Sequence, residues 1–193
     1  MTLCFATNNP KKLAEIRAYL GEGWQVLGLE EIGCREELPE TGNTLEANSL
    51  QKARWVWDHY QIACFADDTG LEVEALNGEP GVYSARYAGP HRSNADNVAL
   101  LLQKLRHEPK RAARFRTVLS YISPEGVQQF EGEVRGSIID TPRGEEGFGY
   151  DPVFVPEGHS RTFAEMSLAE KNSMSHRARA MKKLAEYLKQ IAK

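Results

Sequence analysis

Ile62-Ala63-Cys64-Phe65-Ala66-Asp67-Asp68-Thr69-Gly70 decides how this 193-residue chain is read. An apolar run ends abruptly in two adjacent carboxylates, a hydroxyl and a glycine. The run reads as a buried strand, and its end is where an open α/β sheet places its chemistry. Two acids side by side at such a rim repel each other unless a cation or a shared proton sits between them. The stretch therefore predicts a strand that closes in an Asp67–Gly70 turn, with a cation site at the turn.

Working towards the N-terminus, a helical pattern follows Asn43 and runs to about His59. Asn43 with Glu46 forms a box-like cap, and Ala47, Leu50, Ala53 and Trp57 line one face. Asn48 and Lys52 are four apart and share another face, so both can point at one ligand, or at solvent. Glu30 to Gly42 is an acidic loop in which Glu40 stands out only for its place just before the helix cap. Gln25 to Leu29 is a strand candidate. Leu3 to Ala6 is a short apolar strand, broken by Thr7-Asn8-Asn9-Pro10, and Lys11 to Leu20 carries Leu13, Ile16 and Leu20 at helical spacing. Pro10 suits the first helical position, and Asn8 or Asn9 can cap it. Lys11 and Lys12 then stand in the first turn, where the macrodipole disfavours each cation by roughly 0.3–1 kcal/mol. Lysines beside helix N–H groups make an anion site; the alternative is two solvated lysines. The Gly-x-x-x-x-Gly-Lys phosphate loop is absent.

Beyond the central stretch, Leu71 to Ala75 alternates and predicts a half-exposed strand, and a helix from about Asn94 to Arg106 is capped by Ser93. Arg114 to Ile122, Val127 to Val134 and Gly136 to Ile139 read as three antiparallel strands, the first two joined at Ser123-Pro124-Glu125-Gly126. Lys110, Arg111, Arg114 and Arg116 form a basic cluster that reads as a solvated strand edge. Thr141 to Asp151 holds three glycines and two aromatics. Glycine freedom around Phe148 permits its ring to lie flat against a planar ligand; a ring tucked into the core is the competing reading. Ser167 with Glu170 caps a short helix, and Ser175 caps a last one with a stripe of Ala178, Met181, Leu184, Ala185 and Leu188. His176 and Arg177 fall in its first turn, where cationic groups are again electrostatically out of place.

Bulk composition narrows the class. The chain is 41% hydrophobic and 26% charged with a net charge of −3, which fits a single globular domain and argues against nucleic-acid binding. No run approaches membrane-spanning length and no basic leader is present. Cys4, Cys34 and Cys64 are far apart and match no zinc or redox spacing, so reduced thiols and a cytoplasmic home are expected.

Taken together, the motifs resemble the inosine triphosphate pyrophosphatase family over nearly the whole chain. They are Thr7-x-Asn9-x-x-Lys12, Glu40-Thr41-Gly42, Asn48-x-x-x-Lys52-Ala53, Ala66 to Leu71, Pro80 to Gly89, Phe115-Arg116-x-Val118-Leu119, Gly147 to Pro152, Thr162 to Glu165 and Lys171 to Arg177. The resemblance implies an α/β fold with an elongated, mixed, curved sheet flanked by helices, in two lobes with a cleft between them. It implies a homodimeric, magnesium-dependent hydrolase that converts ITP, dITP and XTP to monophosphate and pyrophosphate.

The resemblance also implies roles. Glu40 and Asp68 would hold Mg²⁺, with Asp67 assisting, and Asp68 would accept the proton of the attacking water. Thr7, Asn8, Asn9, Pro10, Lys11 and Lys12 would hold the polyphosphate through backbone N–H groups and ammonium, Lys52 adding a second cation. Thr69 would donate its hydroxyl to the substrate. Phe148 would stack on the purine within Gly149-Tyr150-Asp151, with Asp151 and Lys171 fixing the nucleoside. His176 and Arg177 would read the 6-oxo group, since their donors leave the 6-amino group of adenine facing another donor. GTP also carries a 6-oxo group, and XTP carries an oxo group at position 2, so steric exclusion there is not enough to reject GTP. Two other readings stand beside this one: a nucleotide-binding module without turnover, and a pyrophosphatase for pyrimidine or methylated nucleotides.

Overall fold

The structure, a computed structural model, describes residues 1–191. Six strands form one mixed sheet in the order β2-β1-β3-β4-β5-β6. They are β1 (Thr2–Phe5), β2 (Gln25–Leu27), β3 (Cys64–Val73), β4 (Ala112–Ser123), β5 (Gly126–Ile138) and β6 (Phe154–Pro156). The flanking helices are α1 (Pro10–Leu20), α2 (Leu45–Tyr60), α3 (Asn94–Lys104), α4 (Leu168–Asn172) and α5 (His176–Ile191). β1 pairs in parallel with β2 and β3, and β6 runs antiparallel to β5.

The chain clusters into two compact units, and β3 passes from the first to the second at the Asp68–Thr69 peptide. The first unit holds residues 1–68, 118–131 and 180 onward. One of its apolar clusters packs Leu3, Phe5, Ile16, Phe65, Met181, Leu184 and Leu188. The Phe5 and Phe65 rings stack there at 4.5 Å. The other cluster contains Cys4, Cys34 and Cys64, all fully buried and unoxidised. Burial pushes the Cys4 and Cys64 thiols up to about 12, so they behave as small apolar core residues. The second unit holds residues 69–117 and 132–179 around Leu71, Val73, Leu101, Phe115, Val153, Phe154 and Phe163.

Several expectations change. β3 does not close in a turn at Asp67: it continues through both acids and Thr69 to Val73. Gly70 is there for close approach rather than for turning, because a Cβ on it would stand 2.5 Å from the Gly81 carbonyl oxygen. The expected strand over Leu71 to Ala75 is thus the end of β3, followed by a 3-10 turn at Glu74–Leu76. The three antiparallel strands are two, since β5 runs unbroken from Gly126 to Ile138. Gly136 sits inside it because a Cβ there would collide with the Val155 carbonyl of β6. Arg114 and Arg116 lie on β4, which has a neighbour on each side, and not on a solvated edge. Arg114 bonds Glu72 at 2.6 Å and Glu133 at 2.7 Å. The cap of α2 is Thr44, not Asn43; its extended backbone lets the hydroxyl accept from Ala47 N–H.

Candidate active site

In the first unit, the loop before α1 and the body of α2 bring lysines to the acids of β3. Asn9 caps α1: its Oδ1 accepts from the N–H groups of Lys11 (3.0 Å) and Lys12 (3.3 Å). Thr7 Oγ1 accepts from Asn9 N–H. The two helix amides expected to meet an anion are therefore occupied by the cap in this structure. Asn8, Asn9, Pro10 and Lys11 are exposed, while Thr7 and Lys12 are half-buried. The Lys12 ammonium reaches Asp67 and grips both its oxygens, at 3.0 and 2.9 Å.

Lys52 is not a solvated helix residue. Its Nζ donates to Glu40 Oε1 at 2.6 Å and to the Asp67 carbonyl at 2.7 Å. Burial works against its positive charge, and the carboxylates of Asp67, Glu40 and Asp68 outweigh it, leaving the pKa above that of an ordinary lysine. Glu40 is held by straps on the two residues after it. Gln51 accepts from Thr41 N–H and donates to Thr41 Oγ1, both at 2.9 Å. Asn48 Oδ1 accepts from Gly42 N–H at 2.7 Å. A side chain at Gly42 would crowd Ala47 and Asn48. Asn48, Gln51 and Lys52 thus act as one face of α2 against the Glu40-Thr41-Gly42 segment. Gln51 was the residue the sequence reading missed; its spacing beside the Asn48–Lys52 pair was the available signal.

Asp68 is half-buried beside this group. Burial pushes its carboxyl up to about 6; the charges of Glu40 and Asp67 add to the rise, while Lys52 and a hydrogen bond from Asn48 oppose it. With its oxygen committed to Gly42, Asn48 presents its amide N–H groups as the donor to Asp68.

A second cluster lies within the second unit. Gly147, Phe148 and Gly149 precede Tyr150-Asp151, and both glycines have positive φ, +73° and +60°. A Cβ on Gly147 would overlap the Asp151 carboxylate. That carboxylate is 3% exposed; its Oδ2 accepts from Phe148 N–H at 3.1 Å and from Lys171 Nζ at 2.6 Å. The Phe148 ring is 45% exposed, so it is not a core residue. Lys171 Nζ stands 4.8 Å over its centroid and Arg177 Cζ 5.8 Å over it. His176 is buried and stacks on Phe115 with centroids 4.9 Å apart. Tyr150 is buried, and its hydroxyl donates to the Ser84 carbonyl at 2.7 Å. Thr69 shares a 2.7 Å hydroxyl contact with Thr117.

The expected site residues therefore fall into two groups, each assembled within one unit: Lys12, Glu40, Lys52, Asp67 and Asp68 in the first, and Phe148, Asp151, Lys171, His176 and Arg177 in the second. A separate recess of about 730 Å³ in the second unit, with Glu72, Arg114, Arg135 and His159 on its walls, contains none of them.

The first unit thus holds Lys12 against Asp67 of β3 and Lys52 against Glu40, and the second unit holds two cations against an exposed aromatic ring. The chain belongs to the Ham1 family, whose sequence profile matches residues 3–187. It is similar to a dITP/XTP pyrophosphatase of Porphyromonas gingivalis, 55% identical over 188 residues that cover 96% of each chain. A dITP/XTP pyrophosphatase of Flavobacterium psychrophilum is 48% identical, covering 98% of this chain and 100% of that one. The solved structure of the Staphylococcus aureus Ham1 protein matches with a TM-score of 0.93 at 38% identity, covering 98% of this chain and 99% of that one.

Proposed function

We propose that the protein hydrolyses the nonstandard purine nucleotides ITP, dITP and XTP to the monophosphate and pyrophosphate, removing them from the nucleotide pool and so keeping them out of DNA and RNA. The observation that carries this reading is the lysine–carboxylate group around β3. A binder of polyanions needs Lys12 and Lys52; it has no need of Asp68, whose carboxyl is pushed up to about 6 beside them. A group with that pKa is poised to take a proton near neutral pH.

The donor set fits a divalent cation, with Mg²⁺ as the finer assignment. Glu40 and Asp68 are two carboxylates whose mutual repulsion contributes to the rise at Asp68, and magnesium is commonly held by one or two carboxylates together with substrate phosphates. The bound ion supplies charge neutralisation and a more acidic water. Both Asp67 oxygens are held by Lys12, and among the described residues no group of three acidic, histidine or cysteine side chains is placed to hold an ion, so Asp67 would join Glu40 and Asp68 as a third donor only once Lys12 has turned to the phosphates.

The chain's own residues do the rest. Lys12 and Lys52 neutralise the phosphates, with Lys12 exchanging Asp67 for phosphate oxygens as substrate enters. The Thr7–Lys11 loop and the Thr69 hydroxyl align the chain of phosphates. Asp68 accepts a proton from water as the new P–O bond forms and the α–β linkage breaks, releasing pyrophosphate. Phe148 stacks on the purine, and the clamp made by Asp151 and Lys171 holds Phe148, Gly149 and Tyr150 in place. His176 and Arg177 read the 6-oxo group.

Two further features of this reading are a cytoplasmic location, which the three buried, reduced thiols accord with, and a homodimer, which light scattering tests. No helix among the described residues is long and apolar enough to cross a membrane.

The deciding experiment incubates the purified protein with ITP, XTP, GTP or ATP, with and without Mg²⁺, and counts pyrophosphate. Turnover of ITP and XTP well above that of ATP and GTP is expected. A folded protein that leaves ITP and XTP intact refutes the function.

A further inference from the structure

We infer that Tyr150 is a positioning residue that acts through Phe148, and that Ser84 is its anchor on β3. This rests on the proposed function, in which Phe148 stacks on the purine and Thr69 meets the phosphates.

Phe148 does not hold its own place. It stands between two glycines with positive φ, and its ring is 45% exposed, so neither backbone stiffness nor packing fixes it. The residues that follow it supply the anchors. Asp151 is one, through the Phe148 N–H and through Lys171 on α4. Tyr150 is the other. It is 5% exposed, and its hydroxyl donates to the Ser84 carbonyl at 2.7 Å, 66 residues away in sequence. Burial pushes this phenol above its ordinary range, so it stays protonated and keeps donating. A buried hydroxyl engaged in this way serves the protein and not a ligand.

The residue it grips is itself fixed to the strand. Ser84 Oγ accepts from Leu71 N–H of β3 at 2.9 Å and donates to the Gly81 carbonyl at 2.6 Å. That carbonyl is the group that leaves no room for a Cβ at Gly70. Asn97 of α3, 2% exposed, holds the residues after Ser84: its Nδ2 donates to the Ala85 carbonyl at 3.0 Å and its Oδ1 accepts from Ala88 N–H at 2.8 Å. The 3-10 turn Gly81–Arg86 is thus pinned both to β3 and to α3.

Two hydrogen bonds therefore lead from Leu71, two residues beyond Thr69, to Tyr150, two residues beyond Phe148. All of these residues belong to the second unit. With Thr69 assigned to the phosphates and Phe148 to the base, the tether sets the distance between the groups that meet the two ends of one nucleotide. A ring already at that distance stacks without first being ordered, whereas a ring on a loose loop has to be ordered at each binding event and binds more weakly.

The test is a double-variant cycle on ITP kinetics with saturating Mg²⁺. Tyr150→Phe removes only the tethering oxygen. Its KM for ITP is expected to rise about three- to tenfold, the size expected of one neutral hydrogen bond, with kcat within about twofold of wild type. In the Phe148→Leu background the same change is expected to leave KM where Phe148→Leu alone puts it, because no ring is left to place. Ser84→Ala keeps the carbonyl but frees it from Leu71, so KM is expected to rise in the wild-type background and not in Phe148→Leu. An unchanged KM in Tyr150→Phe overturns the inference. So do effects of Tyr150→Phe and Phe148→Leu that simply multiply, since Tyr150 then acts without the ring. An unchanged KM in Ser84→Ala overturns its part as the anchor. In each of these cases ITP turnover by the wild-type protein keeps the proposed function intact. A wild-type protein that leaves ITP intact overturns the function and this inference with it.

Discussion

Lys12 grips Asp67 through both carboxylate oxygens, at 3.0 and 2.9 Å, across 55 residues of sequence. Asp67 is 2% exposed, so its charge is held in the protein by this ammonium and by the nearby Lys52. The pair links fold and function, since the cation that stabilises a buried acid is also the one assigned to the phosphates.

Replacing Lys12 with Met is therefore expected to act twice. It leaves the buried Asp67 carboxylate without its nearest cation, a loss on the order of 3 kcal/mol in urea unfolding. It also raises the KM for ITP. Adding Asp67→Asn to Lys12→Met removes the stranded charge and is expected to restore most of the stability without restoring KM. Recovery of KM in the double variant would show that Lys12 serves Asp67 alone.

Asp68→Asn separates chemistry from stability. Turnover of ITP is expected to fall by about 10²–10⁴, the contribution of a general base, with ITP binding retained. The stability effect has the opposite sign. The folded-state pKa of about 6 lies above the ordinary 3.8, so the native state holds the proton more tightly than the unfolded chain. In EDTA the wild-type protein is expected to lose stability as pH rises from about 4 through about 6, by on the order of 2 kcal/mol. Asn at this position carries no charge to desolvate, so the variant is expected to lack this slope and to be the more stable protein at pH 8. Parallel stability curves for the two proteins would remove the burial argument for Asp68.

Gly70 bears on the strand that carries these acids. Its Cβ position lies 2.5 Å from the Gly81 carbonyl oxygen, and backbone cannot swing aside as a side chain can. Ser84 secures the same contact region by donating to Gly81 O at 2.6 Å and accepting from Leu71 N–H at 2.9 Å. Gly70→Ala is expected to cost 2 kcal/mol or more, of the order of an overpacked core, whereas Ser84→Ala, which strands one buried N–H, costs about 1–3 kcal/mol. Wild-type melting behaviour in Gly70→Ala would mean that the two segments separate without penalty.

The same glycine shows what the sequence could and could not reveal. Alternation and apolar runs identified five of the six strand regions and the four longer helices, because periodicity is a local property; the three-residue β6 is too short to show a period. Gly70 and Gly136 read as punctuation, since a glycine that turns and a glycine that admits a neighbouring backbone look alike in one dimension. Both lie inside long strands, which is why one expected turn and one expected strand break are absent. Arg114 and Arg116 read as an exposed edge for a related reason: Glu72 and Glu133, which neutralise them, are distant in sequence. At the site, motif order brought out Lys12, Glu40, Lys52 and Asp68, but not that the lysines are already bound to the acids or that Asn9 occupies two helix amides.

The Asp151–Lys171 pair offers a last test, because it divides stacking from loop placement. Asp151 Oδ2 receives both the Lys171 ammonium and the Phe148 N–H, so one atom sets the position of the ring and of the cation over it. Phe148→Leu removes the aromatic face and leaves the clamp; KM for ITP is expected to rise about tenfold with unfolding free energy nearly unchanged, since the ring is 45% exposed. Asp151→Asn keeps the shape but leaves the Lys171 ammonium buried opposite a neutral amide, and is expected to cost about 3–5 kcal/mol. Lys171→Met in that background removes the stranded charge and is expected to recover much of the loss. KM for ITP is expected to stay high in the double variant, because the loop has then lost the charge-assisted bond that held Phe148. Urea unfolding paired with ITP kinetics on the four proteins reads both effects. A double variant with wild-type KM would show that the ring finds its place without the clamp, and that Asp151 and Lys171 matter to folding only.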